Sequence, residues 1–312
     1  MKWTHKARIQ NAIAGLPFGS AAVYYAVQRL FGGLRKGRNN PVDRFAAAVR
    51  IVEAIDRAGQ SITGKRFLEV GTGHLANVPT ALWLMGAGET VTVDVNRYFS
   101  QTLMAESTEY LRRHVEEVSS LFGARAHDSD FRRRLQKLLE FSGSAAELLA
   151  MMNVRYLCPC DATALPVPDD SFDFHISNTV LEHIPPVVLS GILREAKRVL
   201  ANDGMVVHIV DLSDHFSHDD GSISAVHFLK YKDEEWTRIA GNRFMYQNRL
   251  RAPDYLEIFR EAGVSLLEVE SIVDERSFKS LDDGFSVDSR FATLSREELA
   301  TTELLLVGRF EA

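Results

Sequence analysis

Leu68-Glu69-Val70-Gly71-Thr72-Gly73-His74-Leu75-Ala76 is the stretch on which the reading of this chain turns. Gly71, Gly73 and Ala76 satisfy the pattern G-x-G-x-x-G/A, a strand-to-helix turn in which glycine permits tight turning and close approach of backbone to a ligand. Asp94 follows 21 residues after Gly73 and ends the next apolar run. A carboxylate there can accept hydrogen bonds from both hydroxyls of a ribose. These features suit any adenosine-containing ligand.

Glu69 narrows the choice. A pyrophosphate is best served by bare amides at a helix N-terminus, and a carboxylate ending the adjacent strand would repel it. S-adenosylmethionine has no phosphate and brings an ammonium and a sulfonium, which a carboxylate attracts. A role for Glu69 through a bound water or a backbone amide stays open.

Outward from the loop, strands and helices alternate. "KRFLEV" (65–70) reads as a strand, "HLANVPTALWLMGA" (74–87) as a helix and "TVTVDV" (90–95) as a β-branched strand. "FDFHIS" (172–177), "PVVLSGILREAKRVLA" (186–201) and "GMVVHIVDL" (204–212) repeat strand, helix, strand. The alternation implies a mostly parallel α/β sheet with helices on both faces. Between Asp94 and Asp161 lies an excursion too long for one crossover, with helical spacing at Leu111, Val115, Val118 and Phe122 and at Phe131, Leu135, Leu138 and Leu139. It is expected to be a helical insertion at about 97–154.

The first 62 residues read as a helical extension, broken by Gly, Asn and Pro near "LPFGS" and "GGLRKGRNNP". From Asp43, the residues Phe45, Val49, Val52 and Ile55 share one helical face, with Gly59 as the stop. Residues 63–312 are then the main domain, with a polar, histidine-rich segment at about 213–251 covering the substrate. A helix "APDYLEIFREAG" and two strand-like segments, "VSLLEVESIV" and "TTELLLVGRF", close the chain.

The composition, 46% hydrophobic and 25% charged over 312 residues, is that of a soluble globular protein. No apolar run is long enough to cross a bilayer and no secretory signal is apparent, so a cytoplasmic location is expected. Cys158 and Cys160 are one residue apart, the wrong spacing for a zinc clip or a redox pair, and read as small apolar residues. A net charge of −6 argues against a nucleic-acid partner. Residues 1–50 nevertheless carry a net of +8 with Trp3, Tyr24, Tyr25 and Phe31 interspersed. Such a segment can meet an anionic surface peripherally or form helices packed on the acidic remainder, and mixed apolar and basic faces favour packing.

The successive motifs Glu69-Val70-Gly71-Thr72-Gly73, Asp94 and "DATALPVPDDSFDFHISNTVLEHI" (161–184) resemble those of class I S-adenosylmethionine-dependent methyltransferases of the small-molecule type. The match spans roughly residues 64–212. It implies a Rossmann-like, doubly wound, seven-stranded sheet whose last strand is antiparallel. It also implies that Gly71 and Gly73, with Glu69 and Thr72, line the methionine part of the cofactor. Asp94 would hold the ribose, Asp161 and Ala162 the adenine, and Ser177 and Asn178 would flank the methionine moiety. The long insertion and the N-terminal helices depart from the family's minimal form and could cover the site or form a homodimer contact.

Methyl transfer to a hydroxyl requires an in-line approach and a base. His183, in a motif position after the fourth strand, and His215, after the fifth, are the candidate bases; His74 instead shapes the glycine loop. His218 and, within "GNRFMYQNRLR" (241–251), Arg243, Tyr246, Asn248 and Arg249 are candidate contacts to a polyhydroxylated or anionic substrate, and that segment resembles parts of bacterial saccharide-associated methyltransferases. The same side chains could simply stitch a surface loop to the scaffold. Asp211, Asp214, His215, Asp219 and Asp220 could offer ligands to Mg2+, although an acidic turn whose carboxylates cap loops is favoured over a metal site. The reading is O-methylation of a small polar acceptor such as a sugar. Its rivals are an NAD-dependent oxidoreductase, and a non-catalytic S-adenosylmethionine-binding protein recruited to an anionic surface by its N-terminus.

Overall fold

The computed structural model describes residues 1–311. Among them seven strands form one sheet: β1 (Arg66–Val70), β2 (Glu89–Val93), β3 (Val154–Leu157), β4 (Phe172–Asn178), β5 (Leu200–Asp211), β6 (Val264–Val273) and β7 (Thr301–Phe310). Their order is β3-β2-β1-β4-β5-β7-β6. The pairs β1/β2, β1/β4, β2/β3 and β4/β5 are parallel, and β7 runs antiparallel to both β5 and β6. The sheet is therefore the α/β, Rossmann-like, doubly wound one expected. Strand order reverses between β1 and β4, and in such sheets ligands bind outside the carboxyl ends of the strands at that point.

β3 escaped the sequence reading. Its four residues, Val-Arg-Tyr-Leu, show neither alternation nor an apolar run. Edge pairing with β2 defines it, a long-range contact that no local pattern announces.

Two apolar layers sandwich the sheet. On one face the helices Val42–Arg57 and Asn77–Leu84 and the inserted helices cover Phe67, Phe174, Ile176 and Val207. On the other, Pro186–Val199 and Ala252–Glu261 cover Leu68, Val70, Val206 and Leu306. Phe45, Ile51, Val52 and Ile55 of Val42–Arg57 are at most 1% exposed, and each such burial stabilises by roughly 1.5–3 kcal/mol. A division at residue 62 thus cuts through a continuous core, and that helix is part of the main domain rather than of an extension.

The insertion is helical as expected, with Gln101–Arg113, Val115–Ser120, Ser129–Glu140 and Ala145–Met151. Asp128 caps the third of these through the amides of Asp130 and Phe131, and Ser144 with Glu147 forms a capping box at the fourth. The apolar spacing from Leu111 to Phe122 does not belong to one helix, because His114 leaves helical geometry (φ −127°, ψ 38°).

The N-terminal helices, Trp3–Ala14 and Ser20–Phe31, pack on the segment that follows β5. The Trp3 ring lies 5.1 Å from that of His227 and 5.7 Å from that of Phe216. Lys6 pairs with Asp219 at 2.6 Å, and Asn11 bonds to Ile239 and Asn242. Packing on the acidic body is thus the observed state, and a free arm is not. Phe18, Leu30 and Phe31 nonetheless remain 89%, 64% and 79% exposed. No helix of the described residues is long and apolar enough to cross a membrane. Cys158 and Cys160 are free thiols, the latter buried.

Candidate active site

The glycine turn leaves β1 with backbone that only glycine adopts readily. Gly71 has φ +89° and Gly73 φ +62°. A Cβ on Gly71 would also run into both methyl groups of Val180, so the turn and the segment after β4 are in close contact. The Gly71 amide donates to the Val93 carbonyl at 2.8 Å, and the Gly73 amide donates to Asp94 Oδ2 at 3.0 Å. Asp94 Oδ1 accepts from the Asn96 amide at 2.8 Å, so the carboxylate is oriented from both sides at the end of β2. The Cys160 amide donates to the Asp94 carbonyl, bringing the turn that holds Asp161 and Ala162 alongside. Asp161 Oδ1 accepts from the amide and hydroxyl of Thr163, which hold its pKa below the usual carboxylate range. His74 shapes the loop, its Nδ1 lying 3.0 Å from the Tyr98 carbonyl.

Glu69 is 4% exposed, and burial raises its pKa to about 7 against the opposing effects of Thr92 and Arg44. Thr92 donates to Glu69 Oε2 at 2.5 Å and therefore accepts from Thr72 Oγ at 2.6 Å. The carboxyl is thus poised between neutral and charged near pH 7, and a cation placed beside it would draw out the anion. Thr72 serves this relay rather than facing outward.

Ser177 departs from expectation. It is wholly buried and bonded to His208 Nδ1 at 2.8 Å, and His208 lies against His175. In a sheet with both faces covered a strand side chain has nowhere but the core to go, so the Ser177 hydroxyl supports the interior. Asn178, 8% exposed, ends β4 with its carbonyl accepting from Arg44 at 3.3 Å.

At the same end of the sheet the structure assembles His183 and His215, whose rings lie 4.9 Å apart. His183 Nδ1 is 2.8 Å from the Tyr246 carbonyl, and burial together with the neighbouring His215 depresses its pKa to about 4. His215 Nε2 is 3.2 Å from Asp211 Oδ2. Burial alone would raise the pKa of Asp211, but the contacts with His215 and Ser213 override it and hold the carboxylate at about 2. His218 joins the group, 5.1 Å from His215 between ring centres and 2.8 Å from Ser213 Oγ. Gln247 braces this loop through the Ser213 carbonyl at 2.9 Å.

Most of the polar side chains expected to meet substrate serve the scaffold instead. Arg249 is 3% exposed, donates to the carbonyls of Phe228 and Tyr231 and pairs with Asp233, and lies between Trp236 and Phe291. Asn248 is buried, and its amide donates to the carbonyls of Leu181 and Ile184, fixing the segment that bears His183. Arg243 bonds to Ser20 and lies over Phe244, which ties down an N-terminal helix. Tyr246 contributes its carbonyl to His183 and keeps a half-buried ring. Loops over a binding face must satisfy their own backbone groups first, and these side chains do that work.

The five residues considered for Mg2+ do not converge. Asp214 is fully buried and bonds to the Phe216 amide, Asp219 pairs with Lys6, and Asp220 accepts from Ser222 and the Trp3 amide. One residue that acts on the site carries no sequence signal and another takes a different role. Arg44, on Val42–Arg57, donates to the Asn178 carbonyl and to Thr179 Oγ1 at 2.7 Å, and its charge acts on Glu69, Glu182 and His183. Asp211, which the sequence suggested only as a possible Mg2+ ligand, is the partner of two histidines. Arg44 lies more than twenty residues before the loop, and only tertiary packing reveals it.

The family model described as a methyltransferase domain matches residues 68–208. No curated protein sequence matches the chain. Similar solved structures include geranyl diphosphate methyltransferase in complex with S-adenosylmethionine, at 13% identity and TM-score 0.45, covering 96% of this chain and 95% of that one. A protein from Pyrococcus horikoshii has 14% identity and TM-score 0.47, with coverage of 93% and 99%. A TehB-like S-adenosylmethionine-dependent methyltransferase from Corynebacterium glutamicum has 14% identity and TM-score 0.43, with coverage of 94% and 100%. The glycine turn, Glu69 and Asp94 all lie within the stretch 68–208 that is similar to a methyltransferase domain.

Proposed function

We propose that the protein transfers the methyl group of S-adenosylmethionine to an oxygen of a small polar acceptor, a sugar hydroxyl being the class that best suits the site. The observation that supports this is the meeting of His183 and His215 beside a glycine turn that touches Val180. Cofactor and acceptor would then lie side by side at the switch point. Asp211, held ionised, orients His215 to take the hydroxyl proton. His183, kept neutral with its Nδ1 hydrogen on the Tyr246 carbonyl, lines the acceptor side without taking the proton. As the acceptor oxygen bonds to the methyl carbon, the carbon–sulfur bond breaks and S-adenosylhomocysteine leaves; the proton passes from His215 to solvent. Much of the rate comes from holding the oxygen in line behind the methyl group.

The test is to incubate the protein with methyl-labelled S-adenosylmethionine and a panel of sugars, nucleotide sugars, phenols and amines. Label in a methyl ether of a saccharide supports the reading. Label only in amine or phenol products, or S-adenosylhomocysteine binding without any turnover, would reject it.

We further propose a peripheral contact between the N-terminal helices and an anionic surface. Exposed Phe18, Leu30 and Phe31 next to Arg35, Lys36 and Arg38 favour it. Salt-sensitive sedimentation with anionic, but not neutral, lipid vesicles is the expected outcome.

A further inference from the structure

We propose that Glu182, His183 and His215 bind a divalent transition-metal ion, with Asp211 and His218 at the margin of the site. The role assigned to that ion rests on the acceptor-side reading given above. One candidate ligand atom from each of the three residues lies within 4.8 Å of the others.

Glu182 is the decisive residue. It is 2% exposed, and among the described residues neither of its carboxylate oxygens makes a hydrogen bond of good geometry or meets a side-chain donor, the backbone at Glu182 and Asp211 alone lying near enough to favour its ionised form. A buried carboxylate left that way is strongly disfavoured unless a cation or proton compensates it. Arg44 faces it but commits a guanidinium nitrogen to Asn178 and Thr179 and forms no ion pair with it. His183 Nε2 lies 3.9 Å from Glu182 Oε1, too far for a hydrogen bond even if the carboxyl were protonated.

The tautomer of His183 sharpens the point. Its Nδ1 sits 2.8 Å from the Tyr246 carbonyl, which can only accept, so Nδ1 carries the hydrogen and Nε2 offers a lone pair. Metal-bound imidazoles are oriented in this way by a backbone carbonyl on the far nitrogen. A lone pair and a carboxylate therefore face each other across a gap that suits a cation. A tetrahedral ion with bonds of about 2.1 Å sets its ligand atoms roughly 3.4 Å apart, so small side-chain rotations close the site.

Two imidazoles and one carboxylate favour Zn2+, Co2+, Mn2+ or Fe2+ over Mg2+, which prefers oxygen ligands and water. Three protein ligands leave coordination positions open. A hydroxyl oxygen of the acceptor could bind there, and the ion would then lower that hydroxyl's pKa so that the proton leaves to solvent, His215 being a ligand in the metal-loaded protein and the base in the metal-free one.

The test uses the full chain, stripped with a chelator and titrated with Co2+. The expected result is a visible d–d absorption band that saturates at one equivalent per chain and is displaced by Zn2+. Glu182→Gln and His215→Ala should each weaken Co2+ binding by about a hundredfold or more, since losing even an outer-sphere partner costs 10–100-fold. S-adenosylhomocysteine binding by the His215→Ala protein, measured by calorimetry, reports that the variant is folded. A wild-type chain without a saturable band, or variants that bind Co2+ as the wild type does, would overturn the proposal. Loss of S-adenosylhomocysteine binding with an intact Co2+ band would instead remove the cofactor reading and leave the metal site standing.

Discussion

Replacing Glu69 by Gln and following S-adenosylhomocysteine binding against pH tests the electrostatic core of the cofactor site. Burial lifts the Glu69 pKa from 4.5 to about 7, a difference equivalent to about 3 kcal/mol against the ionised form. The folded-state pKa is raised, so the stability this group contributes is fully present below pH ~4.5 and is lost as pH rises through ~7. A cationic ligand acts in the opposite sense, because the ligand's ammonium is attracted to the ionised carboxylate. Affinity should therefore rise with pH and level off above 7. With a pKa of about 7, binding at pH 6 should be roughly tenfold weaker than at pH 8. Glu69→Gln keeps the shape and the Thr92 contact but removes the charge. A hydrogen bond to a charged group contributes roughly 1.5–3 kcal/mol, so the variant should bind about 10- to 100-fold more weakly at pH 8. Its residual slope with pH measures every other titrating group. Isothermal titration calorimetry from pH 5.5 to 8.5 reads both effects; those limits lie about 1.5 units either side of the raised pKa. Equal wild-type affinity at pH 6 and 8, or a Gln variant that binds like the wild type at pH 8, would refute the reasoning.

Four further substitutions follow from the packing and the site. His215→Ala should lower kcat by about 10²–10⁴ with little change in cofactor affinity, and Asp211→Asn should lower it in the same direction; unchanged turnover in both would dismiss His215 as the base. Gly71→Ala must place a methyl group on Val180 at φ +89°, so thermal unfolding should reveal a loss of about 1–3 kcal/mol along with weakened cofactor binding. Phe45→Ala, deep beneath the sheet at 1% exposure, should cost about 3–5 kcal/mol in denaturant titration. A cost near zero would mean that the first 62 residues form a separable extension after all.

How far the site could be read in advance depended on range. Gly71, Gly73 and Asp94 form a unit bound by local geometry, in which two positive-φ glycines precede a carboxylate that accepts from one of their amides. Such a unit leaves a fixed spacing in the chain. His183 and His215 were selected as residues just past the ends of consecutive parallel strands, and parallel pairing of β4 with β5 brings those ends together. The substrate-facing roles given to Asn248 and Arg249 failed for the converse reason. Residue type shows how many hydrogen bonds a side chain can make, whereas its partners are chosen by whichever backbone groups the fold leaves unpaired, here Leu181, Ile184, Phe228 and Tyr231. β3 and Arg44 carry no local signature at all.

Periodicity and turn chemistry along the chain were enough to set out the doubly wound sheet and its ligand-binding end, and charge to raise the expectation of a cationic cofactor, because each arises between residues close in sequence. Tertiary structure alone decided that Val42–Arg57 lies in the core and that Arg44 reaches the site. It alone also buried Glu182 beside two histidines, without a side-chain hydrogen-bond partner among the described residues, and set the Glu69 pKa near neutrality. Burial and the meeting of distant side chains depend on how helices and strands stack, and dehydration turns an ordinary carboxyl into one that titrates near pH 7.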